Sequence, residues 1–114
     1  MKIVKKPWGE ERWLANTDRY AGKILIVKKG HRLSLQYHKE KHETQYVDEG
    51  VVKFTIGQSE PLKEKILRAG DSIEIPPFTL HRIEALEDAK IFEVSTPELD
   101  DVVRVSDDYG REDE

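Results

Sequence analysis

Residues 37–43, YHKEKHE, hold two of the four histidines, a His-x-x-x-His pair closed by a carboxylate. Imidazole and carboxylate together suit a divalent metal. On a helix, the protease pattern needs Glu directly after the first His, where Lys39 stands. The inverted pattern needs Glu directly before the second His, where Lys41 stands. The flanking alternation has a period of two, which fits a strand. On a strand Gln36 and His38 share a face, and the four residues before Glu43 leave room for a bend into a neighbour. A second histidine segment, GDSIEIPPFTLHRIEA, brings His81. If these strands line one interior, Gln36, His38, Glu43 and His81 converge as two imidazoles, a carboxylate and an amide oxygen. Such a set holds a divalent metal with positions left open. Taken singly, each has an ordinary reading: a core histidine, a surface carboxylate, a glutamine bonded to water. His31 and His42 are expected to face solvent, and the KEKHE run to be a solvated loop with one functional carboxylate at its end.

Short strands must position these groups. Residues 21–30, AGKILIVKKG, form an apolar run between glycines. Residues 32–38 alternate, Leu33, Leu35 and Tyr37 against Ser34, Gln36 and His38. Residues 44–57 predict two strands about a turn at 48–50, where Gly50 supplies a positive φ. Residues 71–77, 91–97 and 101–105 predict three more. Residues 59–70 read as a short helix or as a loop and strand. Many short strands with Gly and Pro between them predict an all-β sandwich or small barrel.

The chain has 114 residues, 37% apolar and 37% charged, with a net charge of −4 and no cysteine. That length predicts one domain over residues 1–114. Interspersed charges predict a folded domain, and the acidic end, REDE, is expected to fray. No basic cluster is interleaved with aromatics, so nucleic acid is not an expected partner. No apolar run approaches ~20 residues, so no membrane span is expected. Without a long apolar core near the N-terminus or any cysteine, the expected location is the cytoplasm.

Two spacings carry a resemblance. Gly30-x5-Gln36-x-His38-x4-Glu43-x6-Gly50 resembles the first cupin motif, with Gln36 for the usual first His. Gly70-x5-Pro76-x-Phe78-x2-His81 resembles the second, with Phe78 where Gly is usual. The resemblance implies a cupin double-stranded β-helix, a jelly-roll-like barrel, often dimeric, with a metal inside. KPWG, Lys23, GHRLSLQYH, HRIEA and VVRVSDDYGR resemble the cupin domain of type II mannose-6-phosphate isomerases, commonly fused behind a sugar nucleotidyltransferase domain. Here Lys39, Glu40 and His42 stand in that family's His-rich patch, Thr44-Gln45 follow Glu43 where an aromatic is usual, and Ala85 replaces a common Asn.

The implied activity is a metal-dependent interconversion of mannose 6-phosphate and fructose 6-phosphate through an enediol. Zinc is the first expectation for the ion, with manganese, nickel, cobalt or iron as alternatives. The resemblance makes Lys23 the candidate for substrate contact or proton shuttle and Arg111 the candidate for phosphate or transition-state charge. The bland readings are a snorkelling Lys23, a Trp8 packed at a barrel end, and Arg104 and Arg111 paired with Asp107 and Asp108. The expected partners are a sugar phosphate and a second copy of the chain. A binding module without turnover and a cupin oxygenase or lyase are the alternative functions.

Overall fold

The computed structural model describes residues 1–111, so the expected fraying of REDE lies, beyond Arg111, outside the described residues. Among the described residues eleven strands follow in order: β1 Lys2–Lys6, β2 Gly9–Asn16, β3 Ala21–Val27, β4 Leu35–Tyr37, β5 Glu43–Glu49, β6 Val51–Gly57, β7 Lys63–Arg68, β8 Ser72–Ile75, β9 Leu80–Ala85, β10 Ala89–Ser95 and β11 Val103–Ser106. One sheet has the order β1-β2-β3-β10-β5-β8 and the other β11-β4-β9-β6-β7. Every pairing is antiparallel. The all-β expectation holds, and among the described residues no helix is long and apolar enough to cross a membrane.

The inner faces meet in a core that includes Trp8, Val27, Val47, Phe54, Ile83 and Ile91. Period-two alternation selects them. β5 reads Glu43, Gln45 and Val47 inward, β9 reads His81, Ile83 and Ala85, and β10 reads Ala89, Ile91 and Glu93. The turn after β5 needs Gly50, whose φ is 92° and where a Cβ would lie 2.3 Å from the Asp88 carbonyl oxygen. Gly9 is fixed by close approach, since a Cβ there would meet the Ile26 carbonyl oxygen at 1.9 Å.

Of the two readings for residues 59–70, the loop and strand holds: Lys63–Arg68 pair with β6 along an exposed edge. Two points of the reading above need correction. β1, β2 and β9 are strands that the reading above did not predict. Leu33 does not share the outward side of Leu35: it is buried in the core, because regular strand geometry begins only at Leu35.

Candidate metal centre

His38, Glu43 and His81 come from three different segments, yet ligand atoms of all three lie within 4.8 Å of one another. His81 Nε2 stands 3.2 Å from Glu43 Oε1, and His38 Nε2 stands 3.8 Å from the same oxygen. All three side chains are buried. Each imidazole is oriented by a backbone carbonyl. His38 Nδ1 donates to Asp101 O at 2.5 Å, and His81 Nδ1 donates to Thr79 O at 2.9 Å. A neutral ring that donates through Nδ1 presents a lone pair at Nε2. Both Nε2 atoms therefore turn to the carboxylate, and His81 Nε2 has no hydrogen-bond partner. Burial holds the His38 pKa below its ordinary value against the pull of Glu43, which keeps that ring neutral. Two lone pairs and an anionic oxygen around one point, one of them buried and orphaned, fit a divalent cation.

The carboxylate is oriented by a buried cation. Lys41 is 4% exposed, and its Nζ lies 2.9 Å from Glu43 Oε2 and 2.9 Å from Glu93 Oε2. Gln45 Nε2 donates to Glu93 Oε1 at 3.1 Å and to Glu43 Oε1 at 3.4 Å. Burial alone would raise the Glu43 pKa, but the groups around it, the buried Lys41 ammonium among them, outweigh it and hold the carboxyl well below the usual carboxylate range. Burial and the neighbouring Glu43 instead push Glu93 up, against the pull of Lys41. Lys41 thus takes one oxygen of Glu43 and leaves Oε1 for the histidines. The solvated-loop expectation for KEKHE holds at Lys39, Glu40 and His42, which are exposed, and needs correction at Lys41 alone. Asp101 Oδ2 accepts from Glu40 N at 2.6 Å and Lys41 N at 3.0 Å, while Thr96 Oγ1 accepts from His42 N at 2.9 Å. Those bonds fold the run inward at Lys41. His42 faces solvent as expected and meets Glu74, whereas His31 is half-buried, stacked on Tyr109 and 2.6 Å from its hydroxyl.

Gln36 is the cross-strand partner of His81 and lines the same cavity, and Ser34 Oγ donates to its Oε1 at 3.3 Å. The cavity, of about 260 Å³, is also walled by Lys6, Glu11, Trp13, Lys23 and Arg104. Lys23 is 7% exposed, so it does not snorkel to the surface. Its Nζ lies 3.2 Å from Glu11 Oε1 and 5.0 Å from the Trp13 ring centroid. Arg111 does not line this cavity. Its Nε and Nη2 reach the Asp107 carboxylate at 2.9 and 3.1 Å beside a smaller adjoining cavity. Asp108 pairs with Arg32, and Trp8 is buried in the core.

Phe78 explains the Gly usual at its motif position. Its φ is 60°, the left-handed region that Gly occupies without penalty, and its N–H donates to His38 O at 2.7 Å. The turn that delivers His81 is therefore tied to the residue that carries the other imidazole.

The family described as "Mannose-6-phosphate isomerase C-terminal" matches residues 1–107. Mannose-1-phosphate guanylyltransferase of Escherichia coli (strain K12) is 36% identical over 113 residues, 95% of this chain and 23% of that protein. Alginate biosynthesis protein AlgA of Pseudomonas aeruginosa (strain ATCC 15692) is 32% identical over 113 residues, 95% and 23%. The chain therefore spans less than a quarter of the curated relatives it matches. Among solved structures, an oxalate decarboxylase aligns with TM-score 0.80 at 20% identity, covering 92% of this chain and 30% of that one. An RmlC-like cupin from Shewanella frigidimarina aligns with TM-score 0.74 at 19% identity, covering 86% and 85%. The fold is the cupin barrel.

Proposed function

The chain belongs to the mannose-6-phosphate isomerase C-terminal family, and from that premise we propose that it is a metal-dependent isomerase of a sugar phosphate, interconverting mannose 6-phosphate and fructose 6-phosphate. The observation that carries this reading is the buried His38–Glu43–His81 cluster, with both Nδ1 atoms tied back to carbonyls. His38, Glu43 and His81 would hold the ion, zinc first among the transition metals, with the Gln36 amide oxygen as a neutral fourth donor. When bound, the ion supplies Lewis-acid polarisation of the sugar's carbonyl and hydroxyl oxygens.

The remaining work falls to the cavity wall. Isomerisation takes a proton from C2 and returns one to C1, while the hydroxyl proton moves from O2 to O1 through an enediol. Glu11 and Lys23 form the acid–base pair on that wall. Burial opposes ionisation of Glu11, but Lys23 and Lys6 outweigh it and depress its pKa, so a carboxylate base and an ammonium donor stand together. Lys41, Gln45 and Glu93 hold the Glu43 carboxylate in one orientation, as outer partners of a metal ligand do.

We extend the proposal to a cytoplasmic homodimer. Ile3, Ile24, Phe92 and Tyr46 lie in one register row on the outer face of the six-stranded sheet, interrupted by Arg12. Phe92→Glu is expected to give a monomer by sedimentation if a second copy covers this row.

A coupled assay with mannose 6-phosphate and added Zn, Mn, Ni or Co tests the activity. Metal-dependent turnover abolished by His81→Ala supports it. Sugar binding without turnover under every metal supports a binding module instead, and oxygen consumption with iron supports an oxygenase.

A further inference from the structure

The two imidazoles of the cluster are held by different parts of the chain. His81 Nδ1 donates to Thr79 O at 2.9 Å, an acceptor two residues back in the same segment. His38 Nδ1 donates to Asp101 O at 2.5 Å, an acceptor 63 residues away in sequence. A carbonyl oxygen only accepts, so each contact requires the proton on Nδ1 and turns the Nε2 lone pair towards the cluster. For His81 that tautomer is dictated locally. For His38 it depends on where residues 96–102, the connection between β10 and β11, are lying. The His38 main chain is fixed separately, its carbonyl accepting from Phe78 N at 2.7 Å.

The Asp101 side chain fixes the place of its own carbonyl. Asp101 Oδ2 accepts from Glu40 N at 2.6 Å and Lys41 N at 3.0 Å, so the residue grips the run after β4 by its carboxylate and the His38 ring by its main chain. A carboxylate on main-chain N–H groups makes charge-assisted bonds, stronger than neutral ones. The other end of the connection is fastened at Thr96, whose Oγ1 accepts from His42 N at 2.9 Å and whose N–H donates to His42 O at 3.0 Å. Between these points the chain turns on itself, with Leu99 N donating to Pro97 O at 2.8 Å. Leu99, Asp100 and Val102 then form part of the cavity wall. The bond to Lys41 N carries further, because Lys41 Nζ lies 2.9 Å from Glu43 Oε2. Asp101 therefore touches one member of the cluster directly and reaches a second through Lys41.

We propose that Asp101 is a positioning residue of the metal centre: its carboxylate, seated on the Glu40 and Lys41 N–H groups, holds its carbonyl against His38 Nδ1, so that His38 is a ligand conditional on residues 96–102 while His81 is not. The competing state is specific. His38 Nε2 stands 3.8 Å from Glu43 Oε1. Without the Asp101 carbonyl the ring proton moves to Nε2 and is donated to that carboxylate, which occupies at once the lone pair and the anionic oxygen that an ion needs. This role rests on the metal-binding part of the proposed function and is independent of turnover.

Two measurements on the whole chain test it. Long-range 1H–15N correlation spectra of the metal-free protein at about pH 8, above the ordinary imidazole pKa of about 6.5, read the tautomer of each ring. Competition with a chelating dye reads zinc affinity. In the wild type both His38 and His81 are expected to carry the proton on Nδ1. In Asp101→Ala, His38 is expected to shift towards the Nε2–H form while His81 stays, and zinc affinity to fall about 10–100-fold. Asp101→Asn, whose amide oxygen accepts the same N–H groups, is expected to keep the wild-type tautomer and most of the affinity. A wild-type His38 protonated on Nε2 overturns the role without any variant, so the test stands even if Asp101→Ala fails to fold. An unmoved His38 tautomer in Asp101→Ala, both rings shifting together, or an unchanged zinc affinity also overturns it. So does a loss in Asp101→Asn as large as in Asp101→Ala, which assigns the effect to charge instead of position. Each of these results leaves the metal centre standing, whereas wild-type protein that binds no zinc overturns the metal centre and this role together.

Discussion

The two ends of the barrel are built from the same strands and made of opposite materials. At one end the inward positions are Val27 of β3, Val47 of β5, Val52 of β6, Ala85 of β9 and Ala89 of β10, all at most 4% exposed. At the other end the same strands contribute Lys23, Glu43 and Gln45, Ile56, His81 and Glu93. Register makes the change abrupt: Val27 pairs with Ala89 and Leu25 with Ile91, but Lys23 pairs with Glu93 and Glu93 with Gln45. One period-two rule therefore serves two purposes within about four residues of each strand. The apolar end closes the barrel by burial. The polar end keeps ionised groups out of water only by pairing them: Lys41 between Glu43 and Glu93, Glu11 on Lys23, and two imidazoles on backbone carbonyls. The first end stabilises the fold by apolar burial, and the second holds together only through its paired charges, which also arrange the groups that could hold a cation.

That division can be broken or sharpened by substitution. Lys41→Met should have the largest effect, because it leaves Glu43 and Glu93 buried without their shared cation. The loss expected in metal-free protein is about 3–5 kcal/mol, read by denaturant unfolding. Saturating zinc should stabilise this variant more than the wild type, since a bound ion restores part of the missing charge. Ile91→Ala, at the apolar end, should cost about 2–5 kcal/mol and leave metal affinity where it was. A change in metal affinity there would show that the ends are coupled. His81→Ala should weaken metal binding by at least about 100-fold, more than an outer-partner loss, with little change in metal-free stability. Competition with a chelating dye reads that affinity.

The smallest effect concerns acid. Glu11 is depressed below its ordinary pKa: burial opposes ionisation, but Lys23 and Lys6 outweigh it. Its contribution to stability is therefore present above its unfolded-state pKa and is lost as pH falls through the lower folded value. Glu11→Gln should lower the melting temperature of the metal-free protein at pH 6 and flatten its decline towards pH 3. An unchanged slope would remove Glu11 from the stabilising pairs.

The apolar end and the metal cluster were legible in the sequence for different reasons. Val52, Phe54 and Ile56 stand two apart with Lys53 and Thr55 between them, so period two puts them on one face. His38, Glu43 and His81 follow from spacing and from residue types with few uses in combination. The other polar wall residues were not legible. Lys41 stands in KEKHE and Glu93 in IFEVS, where a charged side chain inside a barrel has the same appearance as one on its surface. β1 and β2 went unpredicted for the same reason: their inward residues include Lys6, Glu11 and Trp13, so no apolar alternation marks them. β7 offers no buried face to read, since its residues are almost all exposed and its place is set by pairing with β6. Lys23 was singled out through the family likeness, and its partner Glu11 required the register of β2 on β3.

X-ray absorption at the zinc edge of the metal-loaded protein tests the central claim most directly. We expect one ion per chain, with two histidine nitrogens at about 2.0–2.1 Å and the remaining shell oxygen, the imidazole signal halving in His81→Ala. A protein that takes up no stoichiometric ion, or a shell without imidazole, would contradict it.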